Sequence, residues 1–284
     1  MLKATLKKTL PADWQSRARR LSRLRWRTKV DVLQYSGVRL RALRWEHVTY
    51  VLWDPEVESH TYDVANVEEL ARFIADRTGA DAHDVRAHLD EGVRDPEFTE
   101  RWKRRLGRRF DVKSRMMLGN RLLWWGLVRT LKPALCVECG IYNGVGSLVL
   151  LRALELNARE GFPGELISVD SDPSMGWVVP ESLTPRWSKI DGMTSEVLDS
   201  ALAGRRVGLL VHDTPHTYEN AHHEFSVALA HAGSPMVLLD SAGGRTGALQ
   251  ELCRQHGGSY SFFQDLPANH FRTNCGTGVG WFGG

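Results

Sequence analysis

Val137-Glu138-Cys139-Gly140-Ile141-Tyr142-Asn143-Gly144-Val145-Gly146-Ser147 is the stretch on which the reading of this chain turns. A short apolar run, Ala134–Glu138, leads into it, and a helical pattern over Ser147–Glu160, ended by Gly161-Phe162-Pro163-Gly164, leads out. Glycines at 140, 144 and 146 allow a tight strand-to-helix turn and let backbone N–H groups approach a ligand closely. Ligands of open α/β sheets lie at the carboxyl ends of the strands, where this loop falls. The spacing is neither Gly-x-Gly-x-x-Gly nor a P-loop. A fixed anion at Glu138 repels a pyrophosphate and suits a ligand with a cationic centre and no phosphate. For the glycines alone, a plain strand–helix turn is the competing reading.

Downstream, strands and helices alternate. Glu165–Asp170, Trp187–Ile190, Val207–His212 and Pro235–Asp240 read as strands. Between and after them, Thr194–Ala203, the stretch through Tyr218, Ala221, Phe225, Ala228, Leu229 and Ala232, and Thr246–His256 read as helices. Tyr260–Phe263 and Val279–Phe282 close the chain as two strands, joined as a hairpin through the glycine-rich Asn274–Gly280. Upstream, Met116–Leu131 is an apolar-rich helix that stops before Pro133. Asn66, with Glu69 three residues on, forms a capping-box pattern for a helix ending at Thr78-Gly79. A second helix covers about Ala82–Glu91, Arg17–Lys29 is a basic helix, and Val48–Trp53 a short strand. The expectation is a Rossmann-like α/β fold with a seven-stranded, mostly parallel sheet and helices on both faces over residues 113–284. Residues 1–112 form a basic, mainly helical accessory or cap domain.

The chain has 284 residues, 42% apolar and 25% charged, which excludes disordered, collagen-like and disulfide-scaffold classes. No apolar run reaches the roughly 18–20 residues of a membrane span, and the start has no apolar core of a secretory signal. Four cysteines (Cys136, Cys139, Cys253, Cys275) fit a reducing cytoplasm and read as small core residues. Residues 1–45 hold thirteen Lys/Arg against Asp13 and Asp31, a local charge of +11 in a chain of net +3. Nucleic acid, an anionic surface or an acidic partner could meet such a segment; a solvated helix face, or contact with a neighbouring subunit in a homo-oligomer, is the plainer reading.

The run Glu138-x-Gly140-x-x-x-Gly144-x-Gly146 resembles the first motif of class I S-adenosylmethionine-dependent methyltransferases, and later elements match in order over roughly residues 113–284. The resemblance implies S-adenosyl-L-methionine as cofactor. It places cofactor contacts at Glu138, Gly140, Tyr142, Asn143, Gly144, Gly146 and Ser147, and the ribose on Asp170 beside Ser171. The adenine falls near Asp191 and Gly192, and the reaction centre near Asp213. The stretch Asp213-Thr214-Pro215-His216-Thr217-Tyr218-Glu219, with Asp240 ending the fifth strand, is similar to small-molecule O-methyltransferases of sugars and secondary metabolites. Many relatives bind magnesium through an Asp after the fourth strand and an acidic pair after the fifth. Here the positions are Asp213 and Asp240-Ser241, so one carboxylate is missing.

Methyl transfer to a hydroxyl is an in-line displacement helped by a base. His216 is the candidate catalytic base, with Asp213 raising its basicity. His212, at a strand end, reads as a packed or hydrogen-bonded histidine. His216, Glu219, Asn220 and His223 share one helical face, where a metal site competes with a solvated surface, and the surface is preferred. Trp124 and Trp125 read as packing between cap and sheet. The expected partner is a small hydroxylated acceptor. A nucleic-acid methyltransferase is the alternative, disfavoured because no Asn/Asp-Pro-Pro-Tyr/Phe motif occurs. A non-catalytic binding protein on the same fold is the other.

Overall fold

The computed structural model describes residues 64–98, 118–241, 244–266, 268 and 276–283. The +11 segment, the Arg17–Lys29 helix, the Val48–Trp53 strand, Asn274 and Cys275 lie outside the described residues.

Helices α1 (Val67–Thr78), α2 (Ala82–Arg94) and α3 (Arg121–Leu131) precede the sheet. The sheet region runs β1 (Leu135–Cys139), α4 (Val145–Arg159), β2 (Glu165–Asp170), β3 (Trp187–Asp191), α5 (Thr194–Leu202) and β4 (Val207–His212). It continues through α6 (Tyr218–Ala230), β5 (Ala232–Asp240), α7 (Ala248–Gln255), β6 (Ser259–Phe263) and β7 (Thr277–Phe282). The seven strands lie in the order β3-β2-β1-β4-β5-β7-β6. The first five are parallel, and β7 pairs antiparallel with both β5 and β6. The predicted α/β architecture is therefore present. β1 is buried along its whole length, as a strand covered on both faces must be. The edge strand β3 is half-exposed, with Lys189 on it.

Successive strands are laid down on opposite sides of β1, so the order reverses between β1 and β4. In open α/β sheets ligands bind at such a reversal, outside the carboxyl ends of the strands. The register Cys139 opposite His212, and His212 opposite Asp240, sets three strand ends side by side there.

One face of the sheet is covered by α3 and α4, and α1 and α2 pack onto the same core. Trp124 and Trp125 are fully buried in it, and the Trp125 indole donates to the His88 carbonyl at 2.9 Å. Both tryptophans thus pack as expected. The other face carries α5, α6 and α7.

Some limits moved. α2 runs three residues beyond Glu91, and the α3 helix begins at Arg121, with Leu118–Asn120 as a turn. Asn66 occupies the N-cap position without capping α1. Its side chain instead bonds Glu69, the Gln264 carbonyl and the Leu266 N–H, because a loop distant in sequence competes for the amide. Among the described residues, no helix is long and apolar enough to cross a membrane.

Candidate active site

The glycine loop is held from both sides. Asp170, at the end of β2, accepts from the Ile141 N–H at 2.8 Å and the Tyr142 N–H at 3.1 Å. Its other oxygen accepts from the Asp172 N–H at 3.0 Å. Below, Glu138 is 1% exposed, and its Oε2 accepts from Ser147 Oγ at 2.5 Å and Ser168 Oγ at 2.7 Å. The Trp187 indole donates to Ser168 Oγ at 2.9 Å, extending this buried chain to β3. Burial pushes the Glu138 carboxyl up to about 8, so it is largely protonated at neutral pH. Glu138 is therefore not the fixed anion expected from the sequence, and the partly or fully exposed carboxylates at the strand ends are Asp170, Asp191 and Asp213.

The close approaches the loop glycines allow are made to the protein's own chain. Gly140 has φ +93°, and a Cβ there would lie 2.4 Å from the Asp213 carbonyl oxygen. Gly144 has φ +90°, and its Cβ would lie 2.8 Å from Gly176 Cα. Asn143 accepts from the Val145 N–H at 3.0 Å and is buried. Gly146 faces Glu138. Glu138, Asn143, Gly144, Gly146 and Ser147 thus shape the loop from within. Tyr142, Asp170, Ser171 and Asp191 stand at its open rim, and the Gly192 N–H is tied to the Asp170 carbonyl at 2.9 Å.

Beside the loop, the Asp213 N–H donates to the Cys139 carbonyl at 2.8 Å, joining β1 to β4. Ser241 Oγ donates to Asp213 Oδ1 at 2.6 Å. Arg121 Nη2 stands 4.0 Å from Oδ2, and His216 Nε2 stands 3.9 Å from Oδ1. His216 lies in the loop just before α6, whose N-cap is Thr217. Burial holds its imidazole below the usual histidine value, outweighing the opposing pull of Asp213. The gain in basicity expected from Asp213 is therefore overcome, and the ring is neutral at pH 7.

Behind His216 sits a network centred on the fully buried His212 and Glu224. His212 Nδ1 is 2.6 Å from Glu224 Oε2, and Glu224 Oε1 accepts from Thr194 Oγ1 at 2.7 Å and Thr214 Oγ1 at 2.8 Å. The His212 ring meets His216 edge-on at a 5.2 Å centroid distance. Arg121, Ser168, Thr194 and Glu224 went unremarked in the sequence. Glu224 carried a signal: it falls among Ala221, Phe225 and Ala228, on the helix face that packs on the sheet.

The donor set fits a nucleoside cofactor without phosphate. Asp170 spends three of roughly four acceptor positions on backbone, which leaves acceptor capacity of the kind a ribose hydroxyl needs. It fits magnesium poorly. Asp240 is fully buried, and the neighbouring Ser241 hydroxyl is committed to Asp213, whereas magnesium keeps several waters and dehydrates reluctantly.

Residues 137–239, from β1 to the penultimate residue of β5, match the family model described as "Methyltransferase domain". Among solved structures, the chain is similar to the O-methyltransferase TomG of Streptomyces achromogenes, involved in tomaymycin synthesis and solved with SAM. The two are 14% identical over 69% of this chain and 90% of that one, with a TM-score of 0.47. An O-methyltransferase of Bacillus cereus solved with SAH is 11% identical over 75% and 97%, with a TM-score of 0.42. An rRNA methylase of Streptococcus thermophilus is 12% identical over 54% and 87%, with a TM-score of 0.39. No curated protein sequence matches the chain.

Proposed function

We propose that this protein transfers the methyl group of S-adenosylmethionine to a hydroxyl of a small molecule, of the sugar or secondary-metabolite kind. The observation that carries the reading is the rim of acidic strand ends, Asp170, Asp191 and Asp213, around a glycine loop within a methyltransferase domain. The cofactor supplies an electrophilic methyl on a sulfonium sulfur. Asp170 takes the ribose hydroxyls and, through the Ile141 and Tyr142 amides, keeps the loop in shape. Asp191, at the end of β3 and paired in register with Asp170, lies toward the adenine.

His216 accepts the hydroxyl proton on a ring nitrogen as the oxygen–methyl bond forms and the sulfur–methyl bond breaks, the electron pair passing to sulfur. The leaving sulfur is neutral, so the protein needs position rather than an oxyanion hole. Asp213, braced by Ser241, stands beside His216 and favours the imidazolium that results. The few cysteines, of which the three described are buried, support a cytoplasmic setting.

Isothermal titration with S-adenosylmethionine and its demethylated product tests the cofactor; absence of binding by either to folded protein would overturn the reading. A panel of hydroxylated acceptors then tests catalysis. Binding without turnover on any acceptor would favour the non-catalytic alternative.

A further inference from the structure

We propose that His212, His216 and Asp240 form a binding site for a first-row transition-metal cation of the zinc class. A ring nitrogen of each histidine and a carboxylate oxygen of Asp240 all lie within 4.8 Å of one another. The three come from the end of β4, the loop after it and the end of β5, and no two are adjacent in sequence.

Proximity alone would not carry the site; His212 does. It is fully buried, and its Nε2 has no hydrogen-bond partner among the described residues. An orphaned buried ring nitrogen is costly unless something accepts its lone pair or proton. Its Nδ1 is held at 2.6 Å by Glu224, itself fixed by Thr194 and Thr214. A carboxylate on one imidazole nitrogen, leaving the other as donor, is the outer arrangement that metal-binding histidines use to set tautomer and ring orientation.

The donor set selects the metal. Two imidazoles and one carboxylate suit zinc, cobalt or ferrous iron, and a hard, strongly hydrated magnesium ion gains little from them. Donors around a four-coordinate zinc, with bonds of about 2.0–2.1 Å, stand roughly 3.3 Å apart, so the cluster must draw in by as much as about 1.5 Å. His216, with 38% of its side chain exposed on a loop, is the member free to do so. Bound metal takes the His216 lone pair, so the base role given to His216 above belongs to the metal-free protein. The site does not depend on that reading and is tested without cofactor.

Full-length, tag-free protein stripped with a chelator is titrated with Co(II), then with Zn(II) and Mg(II). One Co(II) per chain with visible ligand-field absorption, displaced by zinc and not by excess magnesium, is expected. His216→Ala and Asp240→Asn should each weaken zinc binding by about ten-fold or more, and Glu224→Gln by about 10- to 100-fold with all three ligands intact. His216→Ala changes an exposed residue and keeps the test open should the buried variants fail to fold. No stoichiometric cobalt, displacement by magnesium, or a folded His216→Ala protein that binds zinc like the parent would overturn the site. Loss of cofactor binding in titration, with cobalt binding intact, would overturn only the methyl-transfer reading.

Discussion

At the scale of single residues, Glu138 and His216 each make a testable statement about pH. Glu138 is raised by burial from 4.5 to about 8, so between those values the folded chain keeps a proton that the unfolded chain has lost. Stability must then fall as pH rises through that window, by up to about 1.4 kcal/mol per pH unit from this group. Glu138→Gln imitates the protonated form, and urea unfolding at pH 5 and pH 8 should show a shallower pH dependence in the variant than in the parent. His216 sits below its ordinary value, so the acid limb of kcat/KM should lie below about pH 6.5. His216→Ala should abolish that limb and reduce turnover by about 10²–10⁴, with S-adenosylmethionine affinity in titration unchanged.

At the scale of elements, the strand ends are tied to one another by backbone, and the ties run through the glycine loop. Gly140→Ala meets a positive φ and a backbone oxygen that cannot step aside. It should lower the melting temperature and weaken cofactor binding together, read by calorimetry and titration. Asp170→Ala removes the acceptor of two loop amides as well as the proposed ribose contact, costing roughly 1–3 kcal/mol per lost charged hydrogen bond. Cofactor Kd should rise at least about ten-fold, while the strand β2 itself, apolar at its centre, remains formed. The helix α6 shows where the sequence was ambiguous. Its period was plain and puts Glu224 in the apolar arc of Ala221, Phe225 and Ala228, yet the partner of that carboxylate, His212, is fixed only when the helix is docked.

Across the whole molecule, buried arginines fasten the helical layer to the domain. Arg152 of α4, 8% exposed, donates from Nε and Nη2 to Asp95 Oδ2 at 3.0 and 2.9 Å. Arg129 of α3 reaches Glu91 at 2.6 Å, Glu160 at 2.5 Å and Asn157. Removing one partner of such a pair strands the other charge, so Arg152→Ala should cost about 3–5 kcal/mol and roughly 10 °C in Tm by calorimetry. The helices α1 and α2 should unfold with the sheet in one transition, since one continuous core spans them.

The sequence by itself determined the alternation of strands and helices, the glycine turn after β1 and the acids at the ends of β2, β3 and β4. Buried parallel strands must be apolar throughout, packed helices must repeat every 3.6 residues, and a strand's last residue is legible wherever that pattern breaks. Only the tertiary structure decided what those residues meet. The register across β1, β4 and β5 brings His212 to Asp240, 28 positions away, and docking of α6 brings Glu224 onto His212. The proton on Glu138 and the lowered basicity of His216 come from desolvation, a property of the packed surroundings that no local stretch of sequence contains.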